Sequence, residues 1–230
     1  MSTNKNNHKR HKTDKTKTNT SFLWKYEQKW IAWAVPKVPK FLNGRNLTWA
    51  TSLWSAIILV CGYFSVQNIT WVWGMSVSIV GQYITDSLDG AVGRYRGSGL
   101  INWGHYVDHL LDFVFLCAVI ISYAFIFPQH ILLLMILLAI FGSHYASTYL
   151  IFSFSQKFQM ATSGIGMNEL KIGLLTFNAV IFFNGTDFVE TMLVILSLLA
   201  LLALFGVIYD GQKKAAKIDD IRRKQSTSCG

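Results

Sequence analysis

Apolar residues run through this chain in long blocks separated by short polar connections. The blocks lie at roughly 48–66, 71–91, 106–127, 131–154, 170–185 and 188–209, and most reach the ~20 residues that an α-helix needs to cross bilayer hydrocarbon. The pattern predicts an all-α integral membrane protein whose residues 46–210 form six transmembrane helices, the fifth of them short. Before the first block, residues 21–45 interleave Trp24, Trp30 and Trp33 with Lys25, Lys29, Lys37 and Lys40. Such a segment is too charged to cross but suited to lie along the headgroups as an amphipathic interfacial helix. Pro36 and Pro39 then break it. It serves either to anchor the bundle or to shape the entrance to it. Residues 1–20, MSTNKNNHKRHKTDKTKTNT, have no apolar core; they read as a disordered basic tail, neither a signal peptide nor a span. Residues 211–230 are polar and basic, predicting a short solvated helix with a frayed end.

The charges orient this layout. All 21 Lys and Arg residues fall in 5–45, 94–96, 157–171 or 213–224, which are alternate connections; those near 66–70, 127–130 and 183–188 have none. The positive-inside rule therefore predicts both termini and the 94–96 loop in the cytoplasm. A net charge of +9 raises the question of nucleic acid, but the basic residues flank the apolar blocks and form no separate aromatic-interleaved domain. Membrane lipids with anionic headgroups are the expected partner, and no nucleic acid. Cys61, Cys117 and Cys229 are odd in number, two of them within spans, which argues against a disulfide framework or a cysteine metal site. The build, with no cleavable signal, suits a bacterial inner membrane, with the endoplasmic reticulum as the alternative.

Candidate chemistry is concentrated in TDSLDGAVGRYRGSGLINWGHYVDHLLDF, residues 85–113, which hold four of the twelve acidic residues. Carboxylates at membrane depth cost a few kcal/mol each unless something compensates them. Asp86 and Asp89 are three apart, and Asp108 and Asp112 four apart, so each pair shares a helix face about one turn, ~5 Å, long. Consecutive antiparallel helices would bring the pairs together as a four-carboxylate cage near the inner surface. Like charges so close take up protons or recruit cations. Hard oxygen ligands without cysteine suit Mg²⁺ or Mn²⁺, and four carboxylates have the capacity for two such ions. Gly90, Gly93 and Gly104 bare the backbone beside the acids, and Arg94 and Arg96 follow in the loop; metals, open backbone and guanidinium groups together suit a pyrophosphate.

The run Asp86, Asp89, Gly90, Gly93, Arg94, Gly104, Asp108, Asp112 resembles the signature of the CDP-alcohol phosphotransferase (CDP-alcohol phosphatidyltransferase) family, D-x-x-D-G-x-x-A-R followed after eight or nine residues by G-x-x-x-D-x-x-x-D. Gly93 replaces the alanine, a small-for-small change that loosens the helix. The resemblance covers 27 residues, and the six-span layout with its amphipathic leader also matches. It implies an enzyme of phospholipid synthesis that moves a substituted phosphoryl group from a CDP-linked alcohol to an acceptor hydroxyl and releases CMP. Carried onto this chain, it makes Asp86, Asp89, Asp108 and Asp112 metal ligands, Asp112 also the general base, and Gly90, Gly93 and Arg94 the border of the cytidine diphosphate. It further implies a homodimer.

The substrate pair is less legible. The run Val107-Asp108-His109-Leu110-Leu111-Asp112 is closer to the F-D-H-G-C-D pattern of the choline and ethanolamine phosphotransferases than to the L-D-P-x-A-D-K of bacterial phosphatidylglycerophosphate synthases. The segment holding Gly164, Gly166 and Glu169 resembles the N-G-P-x-E-G of the aminoalcohol branch without its proline. Glu169 either favours its helix N-terminus through the dipole or offers a carboxylate to a cationic headgroup; Gly104 and His109 are further candidate substrate contacts. Only Lys157 and Lys171 lie near that loop to meet an acceptor phosphate. His105 and His109 share a face offset by one position from the aspartates, which suits packing or hydrogen bonding more than ligation. These features point to CDP-choline or CDP-ethanolamine with diacylglycerol; the alternative is CDP-diacylglycerol with a small polar alcohol such as glycerol phosphate, inositol or serine. From a different class, a cation channel or transporter also places aspartates in spans, but usually spreads polar groups to the midplane or both sides.

Overall fold

The computed structural model describes residues 24–97, 101–155 and 167–227. Among these, every regular element is helical: α1 (Trp24–Ala34), α2 (Gly44–Ser65), α3 (Val72–Tyr95), α4 (Ile101–Ile126), α5 (Ile131–Ser155), α6 (Met167–Asn184) and α7 (Val189–Thr227), with single 3₁₀ turns at Val35–Lys37, Ile69–Trp71 and Pro128–His130. The expected tail at 1–20 lies outside the described residues, as do Gly164 and Gly166. Six helices coincide with the six apolar blocks. Four stretches are long and apolar enough to cross a membrane: Gly44–Ser65, Asn102–Ile126, Pro128–Phe154 and Val189–Ile221. The apolar part of α6, Leu170–Asn184, is shorter, and α3 carries Asp86, Asp89 and Arg94 in its C-terminal half. The apolar helices make this an integral membrane protein.

Local sequence explains the helix starts. Pro36 and Pro39 cannot donate backbone hydrogen bonds, so α1 gives way to a turn. Asn43 then caps α2, its side chain accepting from the Asn46 N–H at 3.0 Å. At the other end, the helix expected of the C-terminal segment is the continuation of α7, which runs unbroken through Asp210 to Thr227; Lys213-Lys214-Ala215-Ala216-Lys217 are strong helix formers with no proline to stop them.

The organising element is α2, which packs along both α3 and α4, while a side-chain hydrogen bond from Gln82 to Asp112 joins α3 to α4. Small residues set these approaches: a Cβ on Gly62 would lie 2.4 Å from the Ser122 Cβ on α4, and one on Gly81 would lie 2.5 Å from the Trp54 ring. The remaining helices close the bundle, with α6 against α3, and α5 against α7 and α4. Ile58, Met75, Ile79, Val119, Leu134 and Ile181 form the heart of the core. Within it, Tyr123 donates to the Asn178 Oδ1 at 2.7 Å and the Asn178 Nδ2 donates to the Ser76 Oγ at 3.0 Å, tying α4, α6 and α3 by satisfied polar groups. A second apolar cluster of Val35, Leu47, Leu88 and Val92, with Trp30 and Ile31 against it, joins the α1 segment to α2 and α3.

Candidate active site

The C-terminal half of α3 and the N-terminal half of α4 face each other at one end of the bundle, and each contributes one pair of acids. Asp108 lies close enough to Asp86, Asp89 and Asp112 for their charges to act on one another. Carboxylates gathered in this way favour proton uptake or a bridging cation. The four aspartates singled out by spacing are thus one group, and α2 packs along both of the helices that carry them.

Asp86, Asp89 and Asp112 are each held by a side chain from outside the motif. The Thr48 Oγ1 on α2 donates to the Asp89 Oδ2 at 2.6 Å, and the Gly90 N–H donates to the Asp89 Oδ1. The Lys171 ammonium on α6 donates to the Asp86 Oδ2 at 3.0 Å and stands 5.6 Å from the centre of the Tyr83 ring. The fully buried Gln82, one turn before Asp86, donates through its Nε2 to the Asp112 Oδ1 at 3.0 Å. The His109 Nδ1 lies 3.9 Å from the Asp112 Oδ2 and 4.0 Å from the Asp108 Oδ2. His109 thus lies beside both carboxylates of its own helix.

The donor set fits a hard cation. Asp108, His109 and Asp112 each present one ligand atom within 4.8 Å of the others, and the charge of Asp86 acts on the same group. Among the described residues, the free cysteines Cys61 and Cys117 take no part in it. Oxygen-rich sets with at most one imidazole suit Mg²⁺ or Mn²⁺ better than softer metals.

The other expected contacts separate into two kinds. Gly90 is exposed, and a Cβ there would meet the Arg94 Nη1 at 3.2 Å, so this guanidinium lies over the bared backbone. Gly104 has open space beside it: a Cβ there would meet no atom within 4 Å. Gly93, by contrast, is buried against Gly44 of α2, whose own Cβ would sit 3.4 Å from the Gly93 Cα and 2.8 Å from the Asp89 carbonyl. Arg96 is also committed elsewhere: it donates to the carbonyls of Leu42 at 2.6 Å and Val38 at 2.7 Å, stapling the α1–α2 connection to the end of α3. Glu169 falls in the first turn of α6, its side chain outside what is described. Sequence reasoning missed Gln82, Thr48 and the pairing of Lys171. Gln82 was legible, being four residues before Asp86 on the same helix face; the partners of Thr48 and Lys171 lie 41 and 85 residues away, and no local pattern signals them.

Fold and site together define an integral membrane protein with a polar, carboxylate-built centre at one end of a helical bundle. The sequence profile of the CDP-alcohol phosphatidyltransferase family matches residues 45–209, and the chain belongs to that family. That places it among transferases of phosphate-containing groups in phospholipid synthesis. Neither the curated proteins nor the solved structures yield a match.

Proposed function

We propose that this chain moves a substituted phosphoryl group from a CDP-alcohol to the hydroxyl of a second substrate, releasing CMP, with CDP-choline or CDP-ethanolamine as donor and diacylglycerol as acceptor. The observation that carries the reading is the convergence of Asp86 and Asp89 with Asp108 and Asp112, each pair held at its own spacing within the matched segment. In this reading the helices α2 to α7 are six spans, both termini and the carboxylate end face the cytoplasm, and α1 lies along the inner surface. That placement has the support of the alternate-loop distribution of Lys and Arg. A homodimer is part of the proposal.

The acceptor hydroxyl attacks the phosphorus bearing the alcohol substituent, a new P–O bond forms, the pyrophosphate P–O bond breaks, and CMP departs with the bonding electrons. Asp112 takes the hydroxyl proton. Gln82 holds one oxygen of Asp112 and so leaves the other for that task. Arg94 and the bared backbone at Gly90 receive the donor's phosphates. Asp86, Asp89, Asp108 and Asp112 would hold two divalent cations, Mg²⁺ or Mn²⁺; the chemistry supplied by them when bound is neutralisation of charge on the phosphoryl oxygens and the departing CMP.

The aminoalcohol donor is favoured by the rings beside the acids. His105 lies 5.0 Å from Phe152 and 4.5 Å from His109, and His109 lies 5.8 Å from Tyr149, centre to centre. Aromatic faces next to carboxylates suit a quaternary or primary ammonium. The gathering of all four acids at one end speaks against an ion pathway. The deciding measurement is CMP release by purified protein with Mg²⁺ or Mn²⁺, comparing CDP-choline or CDP-ethanolamine plus diacylglycerol with CDP-diacylglycerol plus glycerol phosphate, inositol or serine. Release with the first set is expected; release only with the second reverses the donor, and release with neither, accompanied by cation flux in liposomes, removes the transferase reading for this chain.

A further inference from the structure

Lys171 belongs to no part of the D-x-x-D motif, yet its ammonium is buried inside the carboxylate group. It is 6% exposed, donates to the Asp86 Oδ2 at 3.0 Å, and its charge also acts on Asp112 and Asp108. A buried lysine is retained where its charge is matched, and this one is matched by the same acids that would bind divalent ions.

We propose that Lys171 is a resident counter-cation of the carboxylate centre: it holds Asp86 in place before ions load, and it stays as a surplus positive charge that helps retain the donor's diphosphate afterwards. The inference rests on the metal-dependent reading above. Four ionised carboxylates facing each other repel strongly; an ammonium on α6 lowers that repulsion and competes with a divalent ion for one Asp86 oxygen. With two divalent ions present, the acids are balanced and the ammonium leaves the site net positive, which suits a diphosphate. Lys171 is thus a positioning residue, acting through Asp86 and through charge.

The test is calorimetric titration of Mn²⁺ into the purified full chain without substrate, on wild type, Lys171→Met and Lys171→Arg. A unit charge a few ångströms from a divalent ion changes its affinity by about tenfold or more even in a well-screened site. Lys171→Met is therefore expected to bind Mn²⁺ about tenfold more tightly, and Lys171→Arg close to wild type. Once loaded, Lys171→Met should show a raised KM for the CDP donor with a smaller change in kcat. Unchanged or weaker Mn²⁺ binding by Lys171→Met overturns the counter-cation. If Lys171→Met folds only when Mn²⁺ is supplied, as judged by a monodisperse elution profile, the ion is replacing the ammonium and the proposal stands; failure to fold even with Mn²⁺ overturns it. Absence of Mn²⁺ binding by the wild type overturns the metal reading itself, a result distinct from equal binding in wild type and variant.

Discussion

At the scale of single residues, the centre divides into acids that would do chemistry and polar groups that aim them. Asp112 is the most demanding case, because it is buried, takes a hydrogen bond from Gln82, and lies beside His109. Asp112→Asn is expected to keep the fold, since an amide fills the same volume, and to lower the rate of CMP release by about 10²–10⁴, the usual contribution of a positioned general base. Near-normal turnover with an unchanged metal requirement would remove Asp112 from that role. The four aspartates are legible in the sequence because three- and four-residue spacings on a helix map directly onto one face. His109 is one position off that face, and side-chain length carries its ring to within 4.0 Å of both neighbouring acids. Lys171 and Thr48 are out of reach of any local pattern.

At the scale of elements, the close approach of α2 to its neighbours depends on positions with no side chain. Gly62→Ala would force a Cβ to 2.4 Å from Ser122, and overpacking of that kind costs about 1–3 kcal/mol. The melting temperature in detergent should fall accordingly, and an unaltered melt would show that α2 and α4 are less tightly apposed. Gly104→Ala is the contrast: open space beside it leaves stability unchanged, so a loss of turnover there would mark the space as one the substrate enters. Helix boundaries follow from prolines, the Asn43 cap and apolar block lengths. The role of Arg96 does not: expected as a phosphate partner, it is consumed by backbone carbonyls of the 38–42 turn.

At the scale of the whole molecule, orientation is testable with the chain's own thiol. When the protein is expressed in a bacterial inner membrane, a membrane-impermeant maleimide should label Cys229 only after permeabilisation, whereas Gln67→Cys, in an exposed connection between α2 and α3, should react in intact cells. Labelling of Cys229 in intact cells would invert the topology and put the centre on the wrong side for cytidine nucleotides. The sequence alone determined the helical class, the membrane, the placement of the apolar blocks and the identity of the four acids, because hydropathy, loop charge and helical period are properties of neighbouring residues. Only the tertiary structure decided that α2 packs along both helices bearing those acids, that Gly93 packs and Arg96 staples, and that an α6 lysine is enclosed with the carboxylates. Those outcomes depend on which helices approach one another, and that is settled by side-chain volume and buried charge summed over the bundle.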